Sequence, residues 1–181
     1  FPAQKVSVEA QRERKAGPAQ TLPSIGSYWK GRKPLILVRA IILGSLLPQT
    51  DNKEVDLEIF EMLMAFDSRS LAKRVLTQNS LKPNDFANSL ILTNPWNYFQ
   101  HNIKSDNVRF IEVDKMEFPF DPVSEGLKIR WRRDISENEK LKLIHQYLKT
   151  IDDYETKSLL SKRPEEVDQV WLYEHVWYSV N

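Results

Sequence analysis

The sequence predicts an α+β fold dominated by helices, with a small β element near the middle. Three observations carry that expectation. Apolar residues recur at helical spacing through residues 51–76 and 137–181. Capping residues, glycines and prolines punctuate those stretches. Between them lie short runs of β-branched and bulky residues with strand character.

The elements follow in order. SVEAQRERKAG is rich in helix formers and ends at Gly17 with Pro18 beyond, so it reads as a short basic helix with a glycine cap. PAQTLPSIGSYWKGRK reads as loop. Pro34 suits a first helical turn, where its missing N–H has no intrahelical partner. The apolar run Leu35 to Leu47 should then form a helix buried in the core and stop before Pro48. Arg39 within it would need a buried acidic partner. Asp51 and Glu54 stand at capping-box spacing before Ile59, Phe60, Leu63, Met64 and Phe66. SRSLAKRVL forms a further helix. SLILT and VRFIEV read as strands, KMEFPFDPVSEG as a long loop and LKIRWRR as a third strand. Ser136 and Glu139 form a second capping box, after which Leu141, Ile144, Leu148 and Ile151 line one helical face. In the last segment Val167, Val170, Trp171, Trp177 and Tyr178 fall near one face.

Composition bounds the function. The chain has 181 residues and a net charge of +1, so bulk charge gives no pull toward nucleic acid. The distribution is uneven: residues 1–40 carry eight Lys/Arg against two Asp/Glu, and residues 151–181 carry three against seven. There is no Cys, which excludes disulfides, thiolate metal sites and a cysteine nucleophile, and fits a cytoplasmic setting. The apolar run is too short to span a bilayer, so no membrane partner is expected. His101, His145 and His175 lack metal-motif spacing, so no metal is expected. The chain begins at Phe1 and ends in EHVWYSVN without a helix stop signal, and is read as a piece of a larger protein.

Residues Val6 to Pro48 carry a resemblance. Ser7, Glu9, Arg12-Glu13-Arg14-Lys15, Thr21-Leu22, Tyr28-Trp29, Arg32-Lys33 and Pro34-Leu35 follow one another in an order that resembles the N-terminal signature of adenine-specific DNA methylase-like proteins of anti-phage defence loci. Tyr28 stands where that signature has a first Trp, and Lys30 separates the aromatic pair from Gly31. The resemblance implies a place beside an S-adenosylmethionine pocket, with Trp29, Lys33 and Pro34 as cofactor-binding residues. The physics is compatible, because a helix N-terminus favours a carboxylate and an indole face favours a sulfonium. It also implies DNA and other defence-system subunits as partners. Arg12, Arg14, Lys15, Lys30 and Arg32 are the candidate nucleic-acid contacts. Read without the resemblance, Trp29 is a core anchor and the cations are solvated.

The catalytic loops of that chemistry are not found. No two of the five glycines lie close enough to make a cofactor loop. Asn94-Pro95-Trp96-Asn97-Tyr98 approaches the Asn/Asp-Pro-Pro-Tyr turn that holds a flipped base, but lacks the second proline, and reads as a structural turn. No catalytic residue is assigned. The division expected is a basic arm, aromatic loop and apolar helix over residues 1–50, and a helical region with short strands over 51–181, inserted ahead of a catalytic domain. The function expected is the N-terminal part of a DNA adenine amino-methyltransferase-like protein that completes the cofactor pocket or guides DNA. The alternative is a non-enzymatic module for nucleic-acid binding or protein docking.

Overall fold

A computed structural model describes residues 1–15, 34–77, 97–101 and 129–181. They form α1 (Ala3–Lys15), α2 (Leu35–Leu46), α3 (Lys53–Leu63), α4 (Ser68–Thr77), β1 (Phe99–His101), β2 (Ile129–Trp131), α5 (Glu137–Lys149), α6 (Tyr154–Leu159), a 3₁₀ turn (Pro164–Glu166) and α7 (Gln169–Val180). The two strands pair antiparallel, Phe99 opposite Trp131 and His101 opposite Ile129. The helix-dominated α+β class is therefore the observed one.

Two larger apolar clusters, and a small third one of Ala65, Val167 and Leu172, hold the helices. In one, Leu71, Ala72 and Val75 of α4 meet Leu141, Ile144 and Leu148 of α5, and Phe99 of the small sheet packs among them. The α5 face is the one its spacing predicts, and the Ser136–Glu139 capping box is present at its start. The ring of Trp131 lies 4.7 Å from that of Phe99, so this tryptophan packs beside the core while Arg130 is exposed. The second cluster joins Val6 of α1, Ile36 and Ala40 of α2, and Phe60, Met64 and Phe66 around the end of α3. It draws on residues either side of position 50, so the described parts of the two sequence segments share one core.

Several expectations are corrected. The helix starting after Pro34 exists, but it is not buried. Only Ile36 and Ala40 are enclosed, while Leu46 is 75% exposed and Ile42 51%. The second cluster offers α2 one narrow contact stripe, and its other apolar residues face outward. Among the described residues Arg39 has no acidic hydrogen-bond partner. Its Nη2 donates to the Leu63 carbonyl at 2.6 Å and so satisfies an end carbonyl of α3. The N-cap of α3 is Asn52, whose side chain accepts from Val55 N at 3.2 Å. Asp51 does not cap it, because Thr50 is bonded through N and Oγ1 to Asp56, which sets the helix start one residue later. On α7 the buried residues are Leu172 and His175, while Val170, Trp177 and Tyr178 lie on the surface. β1 forms at Phe99–His101, where no strand was expected, and the turn read at Asn94 lies outside the described residues. The Gly17 cap and the strands SLILT and VRFIEV lie outside the described residues.

The end of α3 shows how local chemistry sets the chain direction. Phe66 N donates to Glu61 O at 2.8 Å and Ala65 N to Met62 O at 2.9 Å, the paired bonds of a Schellman cap. Ala65 occupies the left-handed position, φ 57°, that glycine usually takes. Its methyl is fully buried with Val167 and Leu172, which explains a side chain there.

Candidate functional site

Three arrangements of polar chemistry stand out among the described residues. The first is a buried knot. Glu9 Oε1 of α1 accepts from Arg74 Nη2 of α4 at 2.6 Å, and Tyr154 Oη donates to the same oxygen at 3.3 Å. Arg74 also donates to Lys162 O at 2.6 Å through Nε and to Ala65 O at 3.1 Å through Nη1. Arg12 Nη1 lies 3.7 Å from Glu9 Oε2 and donates to Lys162 O at 3.2 Å. Burial lowers the proton affinity of the Arg12 guanidinium more than Glu9 restores it. Burial, reinforced by Glu9, pushes the Tyr154 hydroxyl well above its ordinary range. Among the described residues Glu9 Oε2 is buried without a hydrogen-bond partner and faces only the Arg12 ion pair, while the other contacts of the knot tie α1, α4 and the chain beyond α6 together.

The second is the start of α2. Both oxygens of Glu13 accept its first amides, Leu35 N at 2.9 Å and Ile36 N at 3.2 Å. This is the helix N-terminus that would suit a ligand carboxylate, and the protein's own carboxylate occupies it.

The third pairs α7 with the start of α4. His175 Nε2 lies 2.9 Å from Asp67 Oδ2, and the same oxygen accepts from Arg69 N and Ser70 N. Burial raises the Asp67 carboxyl, but the His175 and Ser70 hydrogen bonds outweigh it and hold the group below its ordinary value. Ser179 Oγ sits 3.5 Å from His175 Nδ1, so the residue types match a hydrolase triad. Ser179 instead donates to the His175 carbonyl at 2.7 Å, and Trp171 stacks on the imidazole. The hydroxyl is committed to the backbone, and the set works as a latch between helices.

Beside these lies a groove of about 510 Å³ between α2 and α7. Leu35, Val38 and Ile42 form one wall, Leu172 and Tyr173 the other, and Arg39 and Glu165 bring one charge of each sign. Burial lowers the Arg39 proton affinity and raises that of the Glu165 carboxyl. Glu165 Oε1 has Arg163 Nε at 3.3 Å but no well-aligned hydrogen bond. The apolar walls continue past the groove. Leu46 lies one turn beyond Ile42, and Trp177, 66% exposed, lies one turn beyond Tyr173, 70% exposed.

A family model described as a protein of unknown function, DUF1156, matches residues 1–63. The match takes in α1, α2 and α3, and hence Glu9, Glu13 and Arg39. No curated protein and no solved structure matches.

Of the site residues expected from sequence, Pro34 is buried directly before α2 and Arg12 is drawn into the knot. Trp29, Lys33, Lys30 and Arg32 lie outside the described residues, as do the side chains of Arg14 and Lys15. Among the described residues no cluster of His, Asp or Glu could hold a metal ion. No described helix is long and apolar enough to cross a membrane. The groove was missed because its walls come from helices more than a hundred residues apart. The one available signal was the surplus of apolar residues in α2.

Proposed function

We propose that this chain is a docking module of a DNA adenine amino-methyltransferase-like protein, and that it holds a partner in that protein's assembly through the α2–α7 groove. The observation that carries the docking half is the groove itself, an apolar double wall left open to solvent on two adjacent helices. The methyltransferase half rests on the resemblance of Val6 to Pro48. In this reading, methyl transfer from S-adenosylmethionine to the exocyclic amine of adenine in DNA is performed by loops outside this chain. Trp29, Lys33 and Pro34 would approach the cofactor only after its carboxylate displaced Glu13 from α2. A DNA-guiding role for the basic arm draws on Arg14, Lys15, Lys30 and Arg32 in place of Arg12, which has internal partners.

Hydroxyl-radical labelling of Tyr173 and Trp177 tests the docking reading. The dilute chain and the assembly isolated from its native cell are compared. Several-fold protection of both side chains in the assembly is expected. Equal labelling overturns the reading, whatever the occupant.

A further inference from the structure

Resting on the docking reading, we infer that the groove's occupant is a second copy of this chain, so that α2 and α7 of two copies complete a four-helix layer about a two-fold axis. α2 and α7 each have 12 residues, so each presents a face about 18 Å long. On α2 the outward stripe is Leu35, Val38, Ile42 and Leu46, which recurs at three- and four-residue spacing. On α7 the matching stripe is Val170, Tyr173, Trp177 and Val180. These two helices wall the groove from opposite sides, so a helix seated in it packs against both of them, as in a helix bundle.

The face has the form that self-association requires. A two-fold interface uses the same patch twice, so the patch must offer both a ridge and a recess. Here α2 is the ridge and the groove beside it is the recess. A two-fold axis beside α2 seats it in the partner copy's groove, and the partner's α2 in this one. The order across the layer becomes α7, partner α2, α2, partner α7. Charge does not oppose the match. Arg39 is the only charged residue of α2, and Glu165 lines the same recess, so the two recesses meet with opposite signs available. A recess lined by one sign alone would set like charges together across the axis.

The area is sufficient. The eight exposed side chains offer on the order of 100 Å² each, or roughly 800 Å² together, which is about what each partner brings to a stable interface. A helix of another protein would need only the recess and would leave the outer side of the α2 ridge uncovered. A second copy covers both.

Sedimentation of the chain from about 1 to 100 µM reads the result. The expected species at the upper end has twice the 21.3 kDa chain mass. Ile42→Glu and Ile42→Lys should each sediment as a monomer, with helical circular dichroism intact because Ile42 is half exposed. An equal mixture of the two should recover the dimer, since the opposite charges flank the axis. A wild-type monomer at 100 µM overturns the inference and gives the groove to a helix of another polypeptide. A dimer that survives Ile42→Glu, or a mixture that stays monomeric, also overturns it. Protection of Trp177 in the native assembly alongside a monomeric chain separates failure of this inference from failure of the docking reading.

Discussion

Glu9 and Arg74 meet at 2.6 Å with side chains only 1% and 0% exposed, and this contact fixes how the first helix sits on the rest of the described fold. Glu9 belongs to the segment matched by the DUF1156 model and Arg74 lies beyond it. The pair therefore couples that segment to α4, and through Lys162 O to the approach to α7.

Removing one partner leaves the other charge buried, which costs about 3–5 kcal/mol. Arg74→Ala and Glu9→Ala should each lower stability by that order in urea unfolding. Replacing both, as Glu9→Leu with Arg74→Met, should recover only part of the loss. Arg74 also serves Lys162 O, which keeps its bond from Arg12, and Ala65 O, whose orphaning costs about 1–3 kcal/mol. Full recovery in the double variant would show that the carbonyl bonds contribute nothing.

Glu13 should act on α2 alone. Glu13→Ala removes both bonds to its first turn, a loss of about 0.5–2 kcal/mol typical of helix caps. Hydrogen exchange at Leu35 and Ile36 should quicken by at least tenfold, while exchange in α5 should follow only the global change. The same variant frees the one N-terminus in the described fold that the resemblance would give to a cofactor carboxylate. Calorimetry should therefore show no tight S-adenosylmethionine binding by the wild-type chain. A micromolar dissociation constant for wild type would mean that the ligand displaces Glu13 or binds elsewhere.

Local features were readable and distant ones were not. The Ser136–Glu139 box and the Leu141, Ile144 and Leu148 stripe depend on neighbours within one or two turns, so their spacing is enough to reveal them. The exposure of α2 has no such signal. A continuous apolar run looks the same whether it packs on all sides or on Ile36 and Ala40 alone. The same holds for α7, where Leu172 and His175 face inward although Trp177 and Tyr178 are the more apolar-looking anchors. The partner of Glu9 lies 65 residues away, and nothing in either local pattern identifies it. Of the candidate site, Glu9, Arg12 and Glu13 were readable as a motif. Their roles as knot and cap became visible only through what they touch.

Gly44 should tolerate a side chain. It lies near the end of α2, and an added Cβ would meet Phe60 Cε2 at 3.7 Å, an ordinary contact. Gly44→Ala should therefore stabilise the chain by about 0.5–1 kcal/mol through helix propensity. Urea unfolding checks this, and a loss of stability would mean that the Phe60 side of α2 is packed more tightly than that distance implies.

Asp67 gives the pH dependence its sign. Its carboxyl titrates below the ordinary 3.8 in the fold, because the His175 and Ser70 hydrogen bonds outweigh the opposing effect of burial. A carboxylate with a depressed folded value contributes stability that is complete above the unfolded value. That contribution is lost as pH falls through the folded value. Asp67→Asn keeps a capping side chain for α4 but loses the charged contact with His175, so at pH 7 it should be less stable by about 1–3 kcal/mol. The gap between wild type and variant should hold down to about pH 5 and narrow below about pH 4, as wild-type Asp67 takes up its proton. Comparing the two chains removes the opposite tendency of Glu165, whose buried carboxyl is raised and is common to both. Urea unfolding at pH 7, 5 and 3 measures the gap directly. A gap that stays constant over that range would mean that Asp67 stabilises the fold by its shape and capping alone, with its charge contributing nothing.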